Sequence, residues 1–273
     1  MPELPEVETI RKDLQKKIIG KKIIAVCVVQ KNSVKNSPGK FTKNLKNHSI
    51  EEINRKGKLL VLKIKGNDSF LLVHLRMTGQ LLYYQAREEA KNNTRVIFLF
   101  DDNSELFFND TRRFGYLQIV TEKEKDEALA KMGIDILDKS FSLKILHEIL
   151  KKNKRTLKAV LLDQKIMSGI GNIYADEICF EARLRPDKIT ANLTNKEIEK
   201  LYDSTIKIIK LALKNRGTTF SDYRDSDGKK GHFSKFLKVY QKEKEICQNC
   251  HQPSIKKIKV AGRATRYCQN CQN

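Results

Sequence analysis

Apolar residues recur along the chain with two different periods, and the change of period divides it. Near the start, Val7, Ile10, Leu14 and Ile18 fall on one face at helical spacing. Pro5 suits the first turn of such a helix, and Glu3, Glu6 and Glu8 favour its positive end. Lys16 and Lys17 suit the last turn, and Gly20 is its stop. Short β-rich runs follow at roughly ten-residue spacing. Ile23 to Val29, Leu59 to Ile64, Phe70 to Leu75, Val96 to Phe100, Leu106 to Phe108 and Tyr116 to Val120 are the clearest. Asn, Asp, Gly and Ser clusters separate them, which predicts an antiparallel sandwich or barrel ending near Thr121.

The charged stretch Glu122 to Glu127 reads as a linker or an exposed helix, and beyond it the period is helical. Leu143, Leu146, Ile149 and Leu150 mark one amphipathic segment, and Thr156 is placed to cap the next, with Leu157, Val160 and Leu161. Ser168-Gly169-Ile170-Gly171-Asn172 interrupts before a further helix over Ile173 to Glu181. Thr194-x-x-Glu197 is a capping box opening a long helix that stops at Gly217. From Gly217 to Gly231 the chain is too polar and glycine-rich for regular structure, and a loop of that length is usually functional or disordered. The expected organisation is an N-terminal unit over 1–121, a linker over 122–135, a helical unit over 136–240 and an appendage over 241–273.

Composition adds a partner to this outline. Across 273 residues, 54 basic and 33 acidic side chains give 54 − 33 = +21. That excess favours a polyanionic partner, nucleic acid ahead of a membrane surface. No apolar run approaches the roughly 18 residues of a membrane span, and the N-terminus has no signal-peptide core. The expectation is an intracellular, cytoplasmic chain, a compartment where cysteines more often bind metal than form disulfides.

Cys247-x2-Cys250 and Cys268-x2-Cys271 are the strongest short signal. Four thiolates at this spacing suit one tetrahedral zinc ion, closed to further ligands and therefore structural. His251 is a possible substitute ligand poorly placed beside Cys250, whereas Cys27 and Cys179 sit in apolar patterns and read as core. Between the cysteine pairs, Ile255 to Val260 reads as a strand and Ala261-Gly262 as a turn, with Arg263 and Arg266 just beyond. An arginine on a metal-held hairpin is suited to enter a DNA groove. Gly169-Ile170-Gly171-Asn172 offers backbone N–H groups before a helix, where a phosphate can sit. Lys58 and Lys158 could each contact phosphate or simply be solvated. His74-Leu75-Arg76-Met77 and Thr111-Arg112-Arg113-Phe114-Gly115 follow strands. Their Met, Phe and Arg are side-chain types that wedge between bases.

The stretch Met1-Pro2-Glu3 carries a separate possibility. Removal of Met1 leaves Pro2 as a free secondary amine. An ordinary α-amine has a pKa of about 8, against about 10.4 for lysine, so more of it is uncharged and nucleophilic at neutral pH. Glu3 and Glu6 lie close by as proton-transfer groups. Helix start and nucleophile are compatible readings, the helix then mounting the amine.

Taken together these blocks resemble the bacterial formamidopyrimidine-DNA glycosylases, repair enzymes for oxidised purines. The resemblance is carried by Met1-Pro-Glu-Leu-Pro-Glu-Val-Glu-Thr9, His74-Leu-Arg-Met-Thr-Gly79 and Asp110-Thr-Arg-Arg-Phe-Gly115. It continues through Leu161-Leu-Asp-Gln164, Gly169-Ile-Gly-Asn-Ile-Tyr-Ala-Asp-Glu177, Gly217-Thr-Thr-Phe220 and the four cysteines. Ala264 departs from it, since glycine more often follows the finger arginine. The resemblance implies an α+β, multidomain fold: an N-terminal antiparallel β-sandwich with a flanking helix, a helix–two-turn–helix domain and a zinc-ribbon-like β-hairpin finger. It implies a monomer acting on damaged double-stranded DNA by base excision and strand cleavage. Pro2 and Glu3 would be catalytic, with Lys58 and Arg263 beside them. His74, Lys158 and Asn172 would bind the DNA backbone, and Met77, Arg112 and Phe114 would fill the gap left by an extruded base. Glu6, Thr218, Thr219 and Tyr223 would recognise that base. Two other readings stand beside it: the sister enzyme for oxidised pyrimidines, and a DNA-binding protein without activity.

Overall fold

The computed structural model describes residues 1–273. The chain forms two compact units, one from residues 1–131 with 215–234, the other from residues 132–214 with 235–273.

The first unit begins with α1 (Leu4–Ile18), whose Val7, Ile10, Leu14 and Ile18 are buried as their spacing requires. Two four-stranded antiparallel sheets follow. One has the order β1 (Ile23–Val28), β6 (Thr94–Phe100), β7 (Glu105–Asp110), β5 (Gly79–Tyr84), and the other β2 (Ser49–Lys56), β3 (Leu59–Lys65), β4 (Ser69–His74), β8 (Tyr116–Thr121). Leu60, Leu62, Phe98 and Phe108 from the sheets share one core with α1 and with Phe41 and Leu45 of α2 (Pro38–Leu45). This is the sandwich expected, with the helix flanking it. Cys27 is a correction: it lies on the outward face of edge strand β1 and is exposed, because that strand alternates rather than being buried on both sides.

The stretch read as a linker or an exposed helix is mainly an exposed helix. Thr121 and Glu124 cap α3 (Glu122–Ala130) reciprocally, no residue of α3 is buried, and the first unit runs on to residue 131. Residues 215–234 also depart from the expected helical unit, because they are tied to α1. Arg216 pairs with Asp13, and Lys17 pairs with Asp227 and donates to Ser226 at 2.7 Å.

In the second unit β9 (Ile134–Asp135) pairs in parallel with β10 (Met167–Ser168). Helices α4 (Leu143–Lys152), α5 (Leu157–Leu162), α6 (Asn172–Glu181) and α7 (Asn195–Lys214) make its body. Between α5 and α6 the chain turns twice. The Gln164 amide braces the turns, donating to Ile170 O at 2.8 Å and accepting the Gly169 N–H at 3.0 Å. This is a helix–two-turn–helix, and Ile173 through Phe180 of α6 are all buried. The capping box of α7 forms as read, with Glu197 accepting the Thr194 N–H at 2.9 Å. Strands β11 (Ile255–Val260) and β12 (Arg263–Cys268) pair with Val260 opposite Arg263. Ala261 and Gly262 between them have φ of +49° and +73°, the tight turn that demands two left-handed residues.

Candidate active site and nucleic-acid interface

At the N-terminus, Pro2 and Glu3 are buried while Met1 is exposed. Glu3 is the N-cap of α1, with its side chain and that of Glu6 exchanging backbone N–H bonds; the Glu3 N–H donates to Glu6 Oε2 at 2.8 Å. Glu6 reaches further. Its Oε1 accepts the Thr218 N–H at 2.6 Å, so one buried carboxylate joins the N-terminal segment to the start of the 217–231 loop. Gly217 makes that approach possible: φ is +78°, and a Cβ there would lie 2.5 Å from Glu6 Oε1.

The same loop holds the other residues expected at the base. The Thr218 N–H is already committed to Glu6. The Tyr223 ring is 4 % exposed and belongs to the sandwich core. Thr219 works inside the loop, its hydroxyl donating to Tyr223 O at 3.0 Å and accepting the Gly231 N–H at 2.9 Å. The exposed part of this segment begins at Phe220 and Ser221.

Lys58 follows the left-handed turn residue Gly57 between β2 and β3 and is largely buried. Arg55 holds this turn, donating to Gly57 O at 2.8 Å, and its Nε donates to Glu8 Oε2 at 2.9 Å. The Lys58 turn is thus hitched to the first turns of α1. Burial alone would raise the Glu8 carboxyl, but bonds from Arg11 and Arg55 bring it below the usual carboxylate value. Burial, with the charges of Arg76 and Lys58, pushes His74 down to about 3. His74 is therefore neutral at physiological pH; its Nδ1 accepts the Arg76 N–H at 3.0 Å, which leaves Nε2–H to donate. Met77 is half-buried, whereas Arg112 and Phe114 are exposed. The Arg112 guanidinium stacks over the Phe114 ring, 5.2 Å from its centroid.

In the second unit Lys158, expected at the DNA backbone, is enclosed by other residues of the chain. Its side chain is fully buried, and Nζ donates to Asp176 Oδ1 at 2.6 Å, Thr265 Oγ1 at 2.8 Å and Ala264 O at 3.3 Å. These three acceptors engage the three N–H donors of the ammonium. Asn172 Nδ2 adds a bond to Ala264 O at 3.1 Å, and Asp176 Oδ2 accepts the Arg266 N–H at 2.9 Å. Burial pushes the Asp176 carboxyl up to about 7 against the opposing pull of Lys158. These contacts fix the start of β12, leaving the neighbouring Arg263 exposed on the hairpin. Asp176 lies in the stretch from Gly169 to Glu177, but nothing in the sequence pairs it with Lys158.

The sulfur atoms of Cys247, Cys250, Cys268 and Cys271 all lie within 4.8 Å of one another. Cys247 to Cys271 is 3.8 Å and Cys250 to Cys268 3.7 Å. A tetrahedron with metal–sulfur bonds of about 2.3 Å has edges of about 3.8 Å, so the donor set fits a metal ion. The Ser254 hydroxyl lies 2.8 Å from Cys268 Sγ and 3.1 Å from Cys250 Sγ, a second layer around the thiolates that the sequence did not reveal. His251 is exposed and outside the cluster.

A sandwich with a buried N-terminal Pro-Glu, a helix–two-turn–helix and a four-cysteine hairpin define the class, and the comparisons agree with it. The formamidopyrimidine-DNA glycosylase N-terminal domain matches residues 1–117, and the H2TH domain of the same enzymes matches residues 132–224. The formamidopyrimidine-DNA glycosylases of Listeria monocytogenes serotype 4b and Ureaplasma parvum serovar 3 are 40% and 43% identical, each over the full length of both chains. Two solved structures of Lactococcus lactis Fpg, each 34% identical, superpose well. A complex with DNA containing N7-benzyl-Fapy-dG gives a TM-score of 0.92 over 100% of both chains. A complex with abasic-site DNA gives 0.91 over 99% of both. The chain belongs to the formamidopyrimidine-DNA glycosylase family, and it is a DNA repair glycosylase and AP lyase. No helix is long and apolar enough to cross a membrane.

Proposed function

We propose that the protein excises oxidised purines, 8-oxoguanine and formamidopyrimidines, from duplex DNA through a covalent intermediate on Pro2, then cleaves the strand by β,δ-elimination. With Met1 removed, the Pro2 nitrogen attacks C1′ and the base departs with the electrons of the glycosidic bond. Glu3 protonates the sugar oxygen as the ring opens, and the iminium then drives loss of the 3′ and 5′ phosphates in turn. The observation that carries this reading is the buried Pro2-Glu3 pair at the head of α1, braced by Glu6.

Lys58, His74, Asn172 and Arg263 hold phosphates around the lesion in this reading, and Met77, Arg112 and Phe114 fill the vacated stack. Lys158 serves indirectly, by fixing the hairpin that presents Arg263. The loop from Gly217 covers the extruded base, with Glu6 linking it to the nucleophile. A zinc ion on Cys247, Cys250, Cys268 and Cys271 supplies folding energy to the finger and no chemistry. The enzyme works as a monomer in the bacterial cytoplasm, drawn to the nucleoid by its charge of +21.

Single-turnover rates on four lesions test the substrate class. Excision of 8-oxoguanine opposite cytosine and of formamidopyrimidines should exceed that of thymine glycol and oxidised cytosine. Faster removal of the pyrimidine lesions would transfer the assignment to the sister enzyme.

A further inference from the structure

Met77 and the pair Arg112 and Phe114 stand on two different loops, and one carboxylate joins those loops. Asp110, the last residue of β7, is fully buried and pairs across the sheet with Gly79. Its Oδ1 accepts the hydroxyl of Thr78 and, at 3.2 Å, the N–H of Arg112. Its Oδ2 accepts the N–H of Gly115 at 2.7 Å. Thr78, next to Met77 and itself buried, accepts the same Arg112 N–H on its hydroxyl at 2.9 Å. The Asp110 carbonyl is used as well, taking Arg95 Nε at 2.8 Å. Gly115 has to lack a side chain here, since a Cβ would lie 3.0 Å from Asp110 Oδ2 and 2.8 Å from the Phe108 ring.

We propose that Thr78 and Asp110 lock these two loops into one preassembled wedge, acting as positioning residues for base extrusion and not for bond breaking. This rests on the role given above to Met77, Arg112 and Phe114. Side chains that enter a base stack are pushed back by the stacking they displace. Two loops yielding separately would recoil, whereas a charge-assisted bond from the Thr78 hydroxyl to a buried carboxylate makes them recoil only together. The Arg112 N–H, shared between Thr78 and Asp110, closes the link without using either exposed side chain. Arg112 and Phe114 are thereby free to stack on each other before DNA arrives.

The test uses the full-length enzyme and two substrates of one sequence: a duplex with 8-oxoguanine opposite cytosine, and a duplex with a preformed abasic site, where no base needs extruding. Thr78→Val keeps the shape and removes the hydroxyl; Thr78→Ser returns it. Thr78→Val should slow single-turnover excision of 8-oxoguanine about tenfold, the loss expected for one hydrogen bond to a charged group. It should delay the fluorescence rise of 2-aminopurine beside the lesion to the same extent. Incision of the abasic duplex should stay within about twofold, which also reports that the variant is folded, and Thr78→Ser should match the wild type on both substrates. Equal slowing on both substrates, no slowing on either, or failure of serine to rescue would overturn the interlock. A wild-type enzyme inert on both duplexes would instead overturn the functional reading beneath it.

Discussion

Glu6 and Thr218, 212 positions apart in sequence, are joined by a hydrogen bond of 2.6 Å between a buried carboxylate and a backbone N–H. The other oxygen of the same carboxylate holds the N–H of Glu3 at 2.8 Å. The segment proposed to carry the nucleophile and the loop proposed to cover its target therefore share one anchor.

Glu6→Ala should release that anchor. Two buried N–H groups lose their acceptor, at about 1–3 kcal/mol each. Hydrogen exchange at Thr218 should quicken, and 8-oxoguanine excision should fall at least about tenfold, since 1.4 kcal/mol is a factor of ten. Gly217→Ala should act similarly, because its Cβ would press on Glu6 Oε1 from a left-handed backbone. Unchanged exchange at Thr218 in both variants would remove Glu6 as the link.

Lys158 and Asp176 form a buried ion pair at 2.6 Å, and breaking it from one side strands the other charge. Lys158→Met or Asp176→Asn should each cost about 3–5 kcal/mol of stability. Replacing both with apolar residues should cost less than the sum of the two. Metal content should stay at one equivalent while DNA affinity drops, because the hairpin carrying Arg263 loses its ties to α6 and not its cysteines. Loss of metal in the single variants would mean that the pair supports the cysteine cluster instead.

The cysteine site makes the complementary prediction. Structural zinc contributes about 10–16 kcal/mol apparent at neutral pH in finger peptides. Cys268→Ser should release the ion, disorder β11 and β12 and abolish tight DNA binding, while the sandwich melts as before. Metal analysis with near-UV dichroism decides it; active protein without zinc would refute the assignment.

Acid should destabilise the first unit in a defined range. An unfolded histidine takes a proton near 6.5, whereas burial beside Arg76 and Lys58 holds folded His74 at about 3. The unfolded chain binds the proton first, so stability declines as pH falls below about 6.5 and keeps declining towards 3. Glu8, lowered by Arg11 and Arg55, adds loss below its ordinary value of 4.5. His74→Gln should flatten the upper part of this slope in urea midpoints measured from pH 7 to 5. Identical slopes in variant and wild type would contradict it.

Much of this architecture was legible in the sequence because strong periodicity and punctuation coincide. The helix from Leu4, the capping box at Thr194 and the Ala261-Gly262 turn are each set by local chemistry. Strand β2 was missed because it is an edge strand with a bulge: only Ile50 and Ile53 are buried, so no alternation survives. The loop from Gly217 read as irregular, but its attachment to α1 depends on long-range partners such as Glu6 and Asp13 that no local pattern announces. The enclosure of Lys158 was illegible for the same reason. A lysine before a helix reads as a phosphate contact or a solvated side chain, and its enclosing partners Asp176 and Thr265 come from elsewhere in the chain.

The central claim is that the Pro2 nitrogen becomes covalently bonded to the sugar of the damaged nucleotide. Borohydride reduction during reaction with 8-oxoguanine duplex, followed by digestion and mass spectrometry of the trapped complex, tests it most directly. The expected result is a stable adduct on a peptide beginning at Pro2, absent when Met1 is retained. Glu3→Gln should suppress the adduct from the intact base more than from a preformed abasic site. An adduct mapped to a lysine, or full activity in protein that keeps Met1, would contradict it.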